Sequence, residues 1–427
     1  MADELAAVVM AGGIGTRMRS ATPKHLHPLL GRRMVDWVIA AAREAGVERI
    51  VVVASPETAE LYDGVDVAVQ EEPRGTGDAV HAAREALSGF AGDVLLLNGD
   101  VPALTGGTLS RLVETHRSAG ATATLLSFEP ADTRAYGRIV RDGDGRLARI
   151  VEAVDASPDE LALGEVNSGI YVFRADKLWP VLEGLEPHNA QGELYLTDTL
   201  GLLVAGGETC AVELAADPLE AEGINTRVEL AAAAARLRDR INGGHMLAGV
   251  TIVDPASTWI EAGVEIEPDV TVHPFTVIRG DVRIASGAEI GPFAYIRPGT
   301  AVGERAKIGT FVEVKKSSVG AGAKIPHLSY IGDAEVGEGT NVGAGNITAN
   351  FSHVPGVPKK RTTLGRNVRT GVDNTFLAPV EVGDDAWIAP GAVITDDVPP
   401  GSLAGFAPRQ VTKEGWVYEK HGKPDGD

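Results

Sequence analysis

The chain has one cysteine, Cys210, in 427 residues, so no disulfide can form within it and a reducing compartment is expected. No apolar run approaches the roughly 20 residues needed to cross a bilayer. The opening MADELAAVVMAGG carries acidic residues where a secretory signal would carry basic ones. These absences point to a cytoplasmic protein with no membrane insertion. Basic charge is also short: 39 Lys and Arg stand against 59 Asp and Glu, a net charge of −20. Such a surface repels phosphate backbones, which argues against nucleic acid as a partner. A phosphorylated small molecule would then have to meet local basic residues. Aromatics make up only 5 %, which leaves few large side chains for a core.

Glycine, by contrast, is plentiful at 52 residues, and hydrophobic residues reach 44 %. The chain is too long for one ordinary core, so two or three globular domains are expected. Residues 1–225 alternate strands and helices. Ala6–Met10, Ile50–Ala54 and Val94–Leu97 are short β-branched or aliphatic runs, as buried parallel strands should be. Met34–Ala45 and Ala79–Leu87 read as helices between them. This rhythm implies an α/β, Rossmann-like domain with a mostly parallel sheet, its ligands at the carboxyl ends of the strands. Residues 226–246 read as a linker helix, with Leu230, Ala234, Leu237 and Ile241 at helical spacing and Asn242-Gly243-Gly244 as its stop.

From residue 247 to 427 the period changes. Aliphatic residues recur every six positions at Ile266, Val272, Ile278, Ile284, Ile290, Ile296, Val302, Ile308 and Val314. After five-residue steps to Val319 and Val336 the pattern continues, and it returns in phase from Leu364 to Ile394. A period of six fits neither helix nor simple strand. It fits a solenoid whose triangular coils are built from three hexapeptides, each turning one aliphatic residue inward. The stretch 349–361, rich in Pro, Lys and Arg, reads as an excursion loop from one coil.

Two clusters carry chemistry. In the first domain Met10-Ala11-Gly12-Gly13-Ile-Gly-Thr-Arg17 follows a strand, with Lys24 close behind. Glycine lets backbone N–H groups approach a phosphate chain, and two cations would hold it. Asp100 ends the strand Val94–Leu97 in Asn-Gly-Asp, where a carboxylate can ligate Mg²⁺ shared with phosphate oxygens. Gln70, Gly75 and Thr76 offer amide, backbone and hydroxyl groups suited to reading a base edge. In the solenoid, His327 stands in an aliphatic run with Arg297, Lys315, Tyr330, Asn341 and Asn350 around it in sequence. Arg297 and Lys315 are one coil apart, which predicts that they stack on one face as a basic pocket in an acidic protein.

The order Ala-Gly-Gly-x-Gly-Thr-Arg-Met, Pro-Lys, Gly-Thr-Gly, Gly-Asp-Val-Pro, Tyr136-Gly-Arg-Ile, Ile150-Val-Glu152, Glu165-Val-Asn167 and Gly-Glu-Leu-Tyr195-Leu-Thr197 resembles bifunctional N-acetylglucosamine-1-phosphate uridyltransferase / glucosamine-1-phosphate N-acetyltransferase. The resemblance spans nearly the whole chain. It implies a nucleotidyltransferase domain followed by a left-handed parallel β-helix, and a UDP-N-acetylglucosamine product that feeds cell-wall synthesis. It implies that Arg17 and Lys24 stabilise the triphosphate of UTP and that Gln70, Gly75 and Thr76 read uracil. Asp100 and Asn225 would hold Mg²⁺, while Gly137, Glu152, Asn167, Tyr195 and Thr197 contact the sugar-1-phosphate. In the solenoid it implies His327 as the base that prepares the acceptor amine for acetyl-CoA, a task suited to imidazole. Arg297 and Lys315 would grip phosphate near Tyr330 and Asn341, and Asn350 would orient His327 or the substrate. A homotrimer is implied as well.

The chain departs from the family pattern where Asn350-Phe351-Ser352-His353 opens a longer basic loop, at Val372, and near Ala407, where Arg409 offers a substitute cation. Two other readings stay open on sequence. One is a nucleotidyltransferase whose solenoid serves only assembly. The other is a relative that uses a different sugar or nucleotide.

Overall fold

A computed structural model describes residues 4–13, 15–133, 136–187, 189, 191–351, 354, 356–405 and 412–421. The chain forms two compact units, Met1–Leu237 and Arg238–Asp427.

The first unit is built on a nine-stranded mixed sheet. In chain order its strands are β1 (Leu5–Met10), β2 (Arg49–Ala54), β3 (Asp66–Val69), β4 (Asp93–Asn98), β5 (Ala123–Phe128), β6 (Arg138–Arg141), β7 (Leu147–Val151), β8 (Val166–Arg174) and β9 (Cys210–Leu214). They lie in the order β9-β5-β8-β4-β1-β2-β3, with the β6–β7 hairpin attached to β8. The three strands expected from the apolar runs sit together at the centre, β1 parallel to both β2 and β4. β8 breaks the parallel run, pairing antiparallel with β4 and β5, and the hairpin attached to it is antiparallel as well. The alternation of β8 is hidden because its middle residues are buried on both faces. Val8, Val9, Val51, Val52, Leu95 and Leu96 are completely buried, two layers of core flanking the sheet.

Two expectations for helices need correction. The helix placed at Ala79–Leu87 covers Thr76–Ala82, and tighter i→i+3 bonds such as Arg84 N to His81 O follow it. The helix expected to stop at Asn242-Gly243-Gly244 runs from Arg227 to Leu247, straight through those residues. Asn242 is fully buried, and its Nδ2 donates to the carbonyls of Pro255 and Thr258 at 3.0 and 2.9 Å. Tertiary hydrogen bonds outweigh the local stop signal.

The second unit is a left-handed parallel β-helix with three sheets of short strands, each strand pairing with the one a coil later. The hexapeptide residues point inward as expected. From Val272 through Ile394 they are buried, and Ile266 packs partly buried on the same core. The pairing register also explains the irregular spacings. Tyr295 pairs with Glu313, an 18-residue coil, whereas Glu313 pairs with Tyr330, a 17-residue one. Each five-residue step therefore removes one residue from a corner. Ala334 pairs with Thr362, so the next coil carries ten residues beyond the usual 18, and these form the excursion loop.

Candidate functional site

In the first unit one cavity of about 200 Å³ opens at the carboxyl ends of β1 and β4. Eight residues expected from sequence line it: Met10, Thr76, Asp100, Gly137, Glu152, Asn167, Thr197 and Asn225. They come from segments far apart in the chain, and backbone bonds draw several of them together. Gly77 N donates to Leu194 O at 2.8 Å and Leu194 N to Arg74 O at 2.9 Å, which zips the 74–77 segment to the one carrying Tyr195 and Thr197. Leu196 N donates to Thr76 Oγ1 at 3.0 Å. Ile224 N donates to Asp100 O at 2.9 Å and carries Asn225 to the cavity.

The remaining expected residues lie outside this lining. Ala11, Gly12 and Gly13 continue from β1, with Ala11 N bonded to Val53 O. Gln70 donates from Nε2 to Gly75 O at 3.2 Å and to Asp78 at 2.9 Å, beside Gly12. Tyr195 is buried and lines an adjoining cavity with Glu152 and Thr197. Burial pushes its hydroxyl up to about 12, with the Asp155 and Glu152 carboxylates adding to the effect.

Charge concentrates at Asp100. Lys24 Nζ lies 2.5 Å from Asp100 Oδ2 and 3.2 Å from Asn225 Oδ1, and Arg17 Nη2 donates to that same Asn225 oxygen at 2.8 Å. One carboxylate and one amide oxygen facing the same cation suit a hard ion that takes its other ligands from water and phosphate. Among the described residues no group of three or more His, Cys, Asp or Glu forms a closed metal cage. Glu152, by contrast, is desolvated and its carboxyl is raised, with the Thr197 hydroxyl donating to it at 3.1 Å. Asn167 donates to the buried Tyr171 hydroxyl at 2.7 Å and accepts from Gly169 N.

Several wall residues went unread in the sequence. Asn98, Tyr136, Ser168, Tyr171 and Leu196 also line the cavity. Asn98, two residues before Asp100 at the end of β4, lay within reach of the rule that found Asp100. Tyr171, in the middle of a buried strand, gave no signal.

In the β-helix, register sorts the expected residues. Arg297 follows the strand Tyr295–Ile296, Lys315 ends the paired strand Glu313–Lys315, and the register stacks them one above the other. Arg297 donates to Glu313 at 2.7 Å and lies over the Tyr295 ring. Lys315 pairs with Gly332. A Cβ on Gly332 would fall 2.3 Å from the Tyr330 hydroxyl oxygen, so the missing side chain is what lets Tyr330 recline towards this column. Lys359, from the excursion loop, meets Lys315 and lowers its pKa by direct contact, with Arg297 adding to the effect. Sequence reading missed Lys359 because the loop's length hides which coil it returns to.

Of the two partners expected for Asn350, His327 or the substrate, its Nδ2 meets neither here and donates to Asp333, one coil below. His327 belongs to a different sheet, paired with Thr310, where its side chain is exposed. Asn341 shares that sheet but pairs with Lys324, three residues before His327. Val372 is about half-exposed. Ser352, His353, Ala407 and Arg409 lie outside the described residues.

The α/β unit with cations over a strand-end carboxylate, joined to a hexapeptide coil with its own basic column, defines a nucleotidyltransferase fused to a hexapeptide-repeat transferase. The family of MobA-like NTP transferase domains matches residues 7–194, and that of bacterial transferase hexapeptides, spanning six repeats, matches residues 263–298. The chain is 46 % identical to the Bifunctional protein GlmU of Streptomyces coelicolor, over 97 % of this chain and 94 % of that one. Bifunctional protein GlmU of Trichlorobacter lovleyi is 43 % identical over 97 % and 98 %, and that of Corynebacterium glutamicum 42 % over 97 % and 94 %. The chain belongs to the bifunctional GlmU family.

Proposed function

We propose that the protein acetylates glucosamine-1-phosphate with acetyl-CoA in its β-helix and joins the product to UTP in its first unit, releasing UDP-N-acetylglucosamine and pyrophosphate. The observation that carries this reading is the convergence of eight expected residues on one strand-end cavity whose carboxylate and amide face two cations.

In the uridylyl step a phosphate oxygen of the sugar attacks the α-phosphorus of UTP in line, and pyrophosphate leaves. Positioning and charge neutralisation supply most of the acceleration in such displacements. Arg17 and Lys24 neutralise the triphosphate, while Gln70, Gly75 and Thr76 hold the base. Gly137, Glu152, Asn167, Tyr195 and Thr197 orient the sugar. Asp100 and Asn225 would hold Mg²⁺, which supplies charge neutralisation to the phosphates when bound.

In the acetyl step the amine nitrogen attacks the thioester carbonyl, the new C–N bond forms and the C–S bond breaks. His327 takes the amine proton, and CoA leaves as its thiol. Arg297, Lys315 and Lys359 hold the acceptor's phosphate, with Tyr330, Asn341 and Asn350 as its polar surroundings. Asn350 acts here through Asp333 on the substrate side, since its amide is engaged there.

We assign a homotrimer in the cytoplasm. The exposed ladder of Phe275, Phe293 and Phe311, with ring centroids 4.9 and 5.1 Å apart, supports self-association of the β-helix. Light scattering at three times the chain mass would agree, and a monomer would sink the assignment.

The decisive assay supplies glucosamine-1-phosphate, acetyl-CoA, UTP and Mg²⁺. Wild type should release CoA and pyrophosphate. Asp100→Asn should lose pyrophosphate release by at least about a hundredfold while keeping CoA release, and His327→Ala should do the reverse when given N-acetylglucosamine-1-phosphate. Unchanged pyrophosphate release in Asp100→Asn would overturn the metal reading, and unchanged CoA release in His327→Ala would overturn the base.

A further inference from the structure

Lys24 occupies the oxygens that the proposed divalent ion needs. Its ammonium bridges Asp100 Oδ2 at 2.5 Å and Asn225 Oδ1 at 3.2 Å, and Arg17 holds the same Asn225 oxygen at 2.8 Å. A divalent ion bonded to these oxygens at about 2.0–2.6 Å would press against the ammonium. Lys24 and Asp100 are both largely buried, with side chains 12 % and 16 % exposed, so little solvent screens that repulsion. Metal and ammonium therefore exclude one another at Asp100.

The alternative place for the ammonium is close by. The Lys24 stem runs against Gly15 of the glycine loop: a Cβ on Gly15, whose φ is +71°, would lie 2.5 Å from Lys24 Cβ and 3.2 Å from Cγ and Cδ. The side chain is thus threaded beside the backbone proposed to receive the triphosphate, with Arg17 two residues beyond Gly15.

We infer that Lys24 is an internal cation which exchanges with the divalent ion, leaving Asp100 for the triphosphate, so that metal and nucleotide enter as one coupled event. This rests on the reading of Asp100 and Asn225 as metal ligands. Metal alone meets an occupied site. Triphosphate alone must draw Lys24 away and strand a partly buried carboxylate. Together each relieves the other, and the coupling is reciprocal.

The test uses Mn²⁺ alone as probe, with free Mn²⁺ read by electron paramagnetic resonance in the absence of nucleotide. Lys24→Gln should bind Mn²⁺ about tenfold more tightly than wild type, whereas Lys24→Arg, which keeps the charge, should not. Adding Asp100→Asn to Lys24→Gln should remove the gain. Melting curves establish that each variant is folded. If Lys24→Gln binds Mn²⁺ no more tightly than wild type, the exchange is wrong even where Asp100→Asn has lost pyrophosphate release. A gain that survives the added Asp100→Asn places the ion elsewhere and also overturns it. Retained pyrophosphate release in Asp100→Asn alone marks instead the failure of the metal reading.

Discussion

The His25 ring is 5 % exposed, and neither of its nitrogens has a hydrogen-bond partner among the described residues. It packs against Gly13 and Gly99, below the glycine loop. Burial lowers its pKa to about 4, with Asp100 opposing the shift and Lys24 adding to it. The folded state therefore keeps the ring neutral where the unfolded chain would protonate it. Between pH 6.5 and 4 the unfolded chain binds more protons, so stability rises with pH across that window. The contribution is complete above pH 6.5 and is lost as pH falls towards 4, about 3 kcal/mol in all and about 2 kcal/mol by pH 5. Denaturant unfolding at pH 7 and pH 5 should show this loss in wild type and not in His25→Leu. Equal losses in both would assign the slope to other groups. Nothing in the sequence marked His25, because a histidine between Lys24 and Leu26 reads as one more polar turn residue. Asp100 and Lys24 were legible, since a carboxylate at a strand end and a cation after a glycine loop each have a chemical reason to stand there. Tyr171 and Ser168 were not, because a polar atom in a strand points to a cavity only once the opposite wall is known.

At the scale of elements, period was the strongest guide and local stop signals the weakest. The hexapeptide pattern located the large aliphatic of each repeat but not the small inward residue two positions before it, such as Ala288, Ala294 and Ala306, and even its five-residue steps have a structural meaning. They are corners shortened by one residue, and at the first of them Ser317 Oγ donates to Lys315 O at 2.8 Å and accepts from Ala334 N at 2.9 Å. The antiparallel strand β8 was missed because burial on both faces erased its alternation. The helix Arg227–Leu247 outran its Asn-Gly-Gly stop because the Asn242 side chain donates to the carbonyls of Pro255 and Thr258. Replacing Asn242 by Ala gains about 0.5 kcal/mol of helix propensity but leaves the carbonyls of Pro255 and Thr258 without that donor. Losing such a buried bond costs about 1–3 kcal/mol, so the net effect should be a destabilisation. Denaturant unfolding of Asn242→Ala should show a lower midpoint with unchanged slope. A midpoint at or above that of wild type would mean that the helix continues for reasons of its own propensity.

For the whole molecule, the question is whether two chemistries on one chain depend on one another. The proposed uridylyl site draws its residues from Met10 to Asn225, within the first compact unit, and the proposed acetyl site from Arg297 to Lys359, within the second. As proposed, neither set draws a side chain from the other unit, so the acetylated sugar phosphate is expected to pass between sites through solution. A mixture of Asp100→Asn and His327→Ala proteins should then make UDP-N-acetylglucosamine from glucosamine-1-phosphate, acetyl-CoA and UTP, although neither variant does so alone. Because the intermediate must first accumulate, the mixture should show a lag that shortens as the His327→Ala protein is raised. A labelled pool of N-acetylglucosamine-1-phosphate added at the start should dilute into the product in proportion to its concentration. Product formed without a lag and without dilution would show that the intermediate is handed over without release. A mixture that makes no product would show that one site works only when the other, on the same chain, is intact.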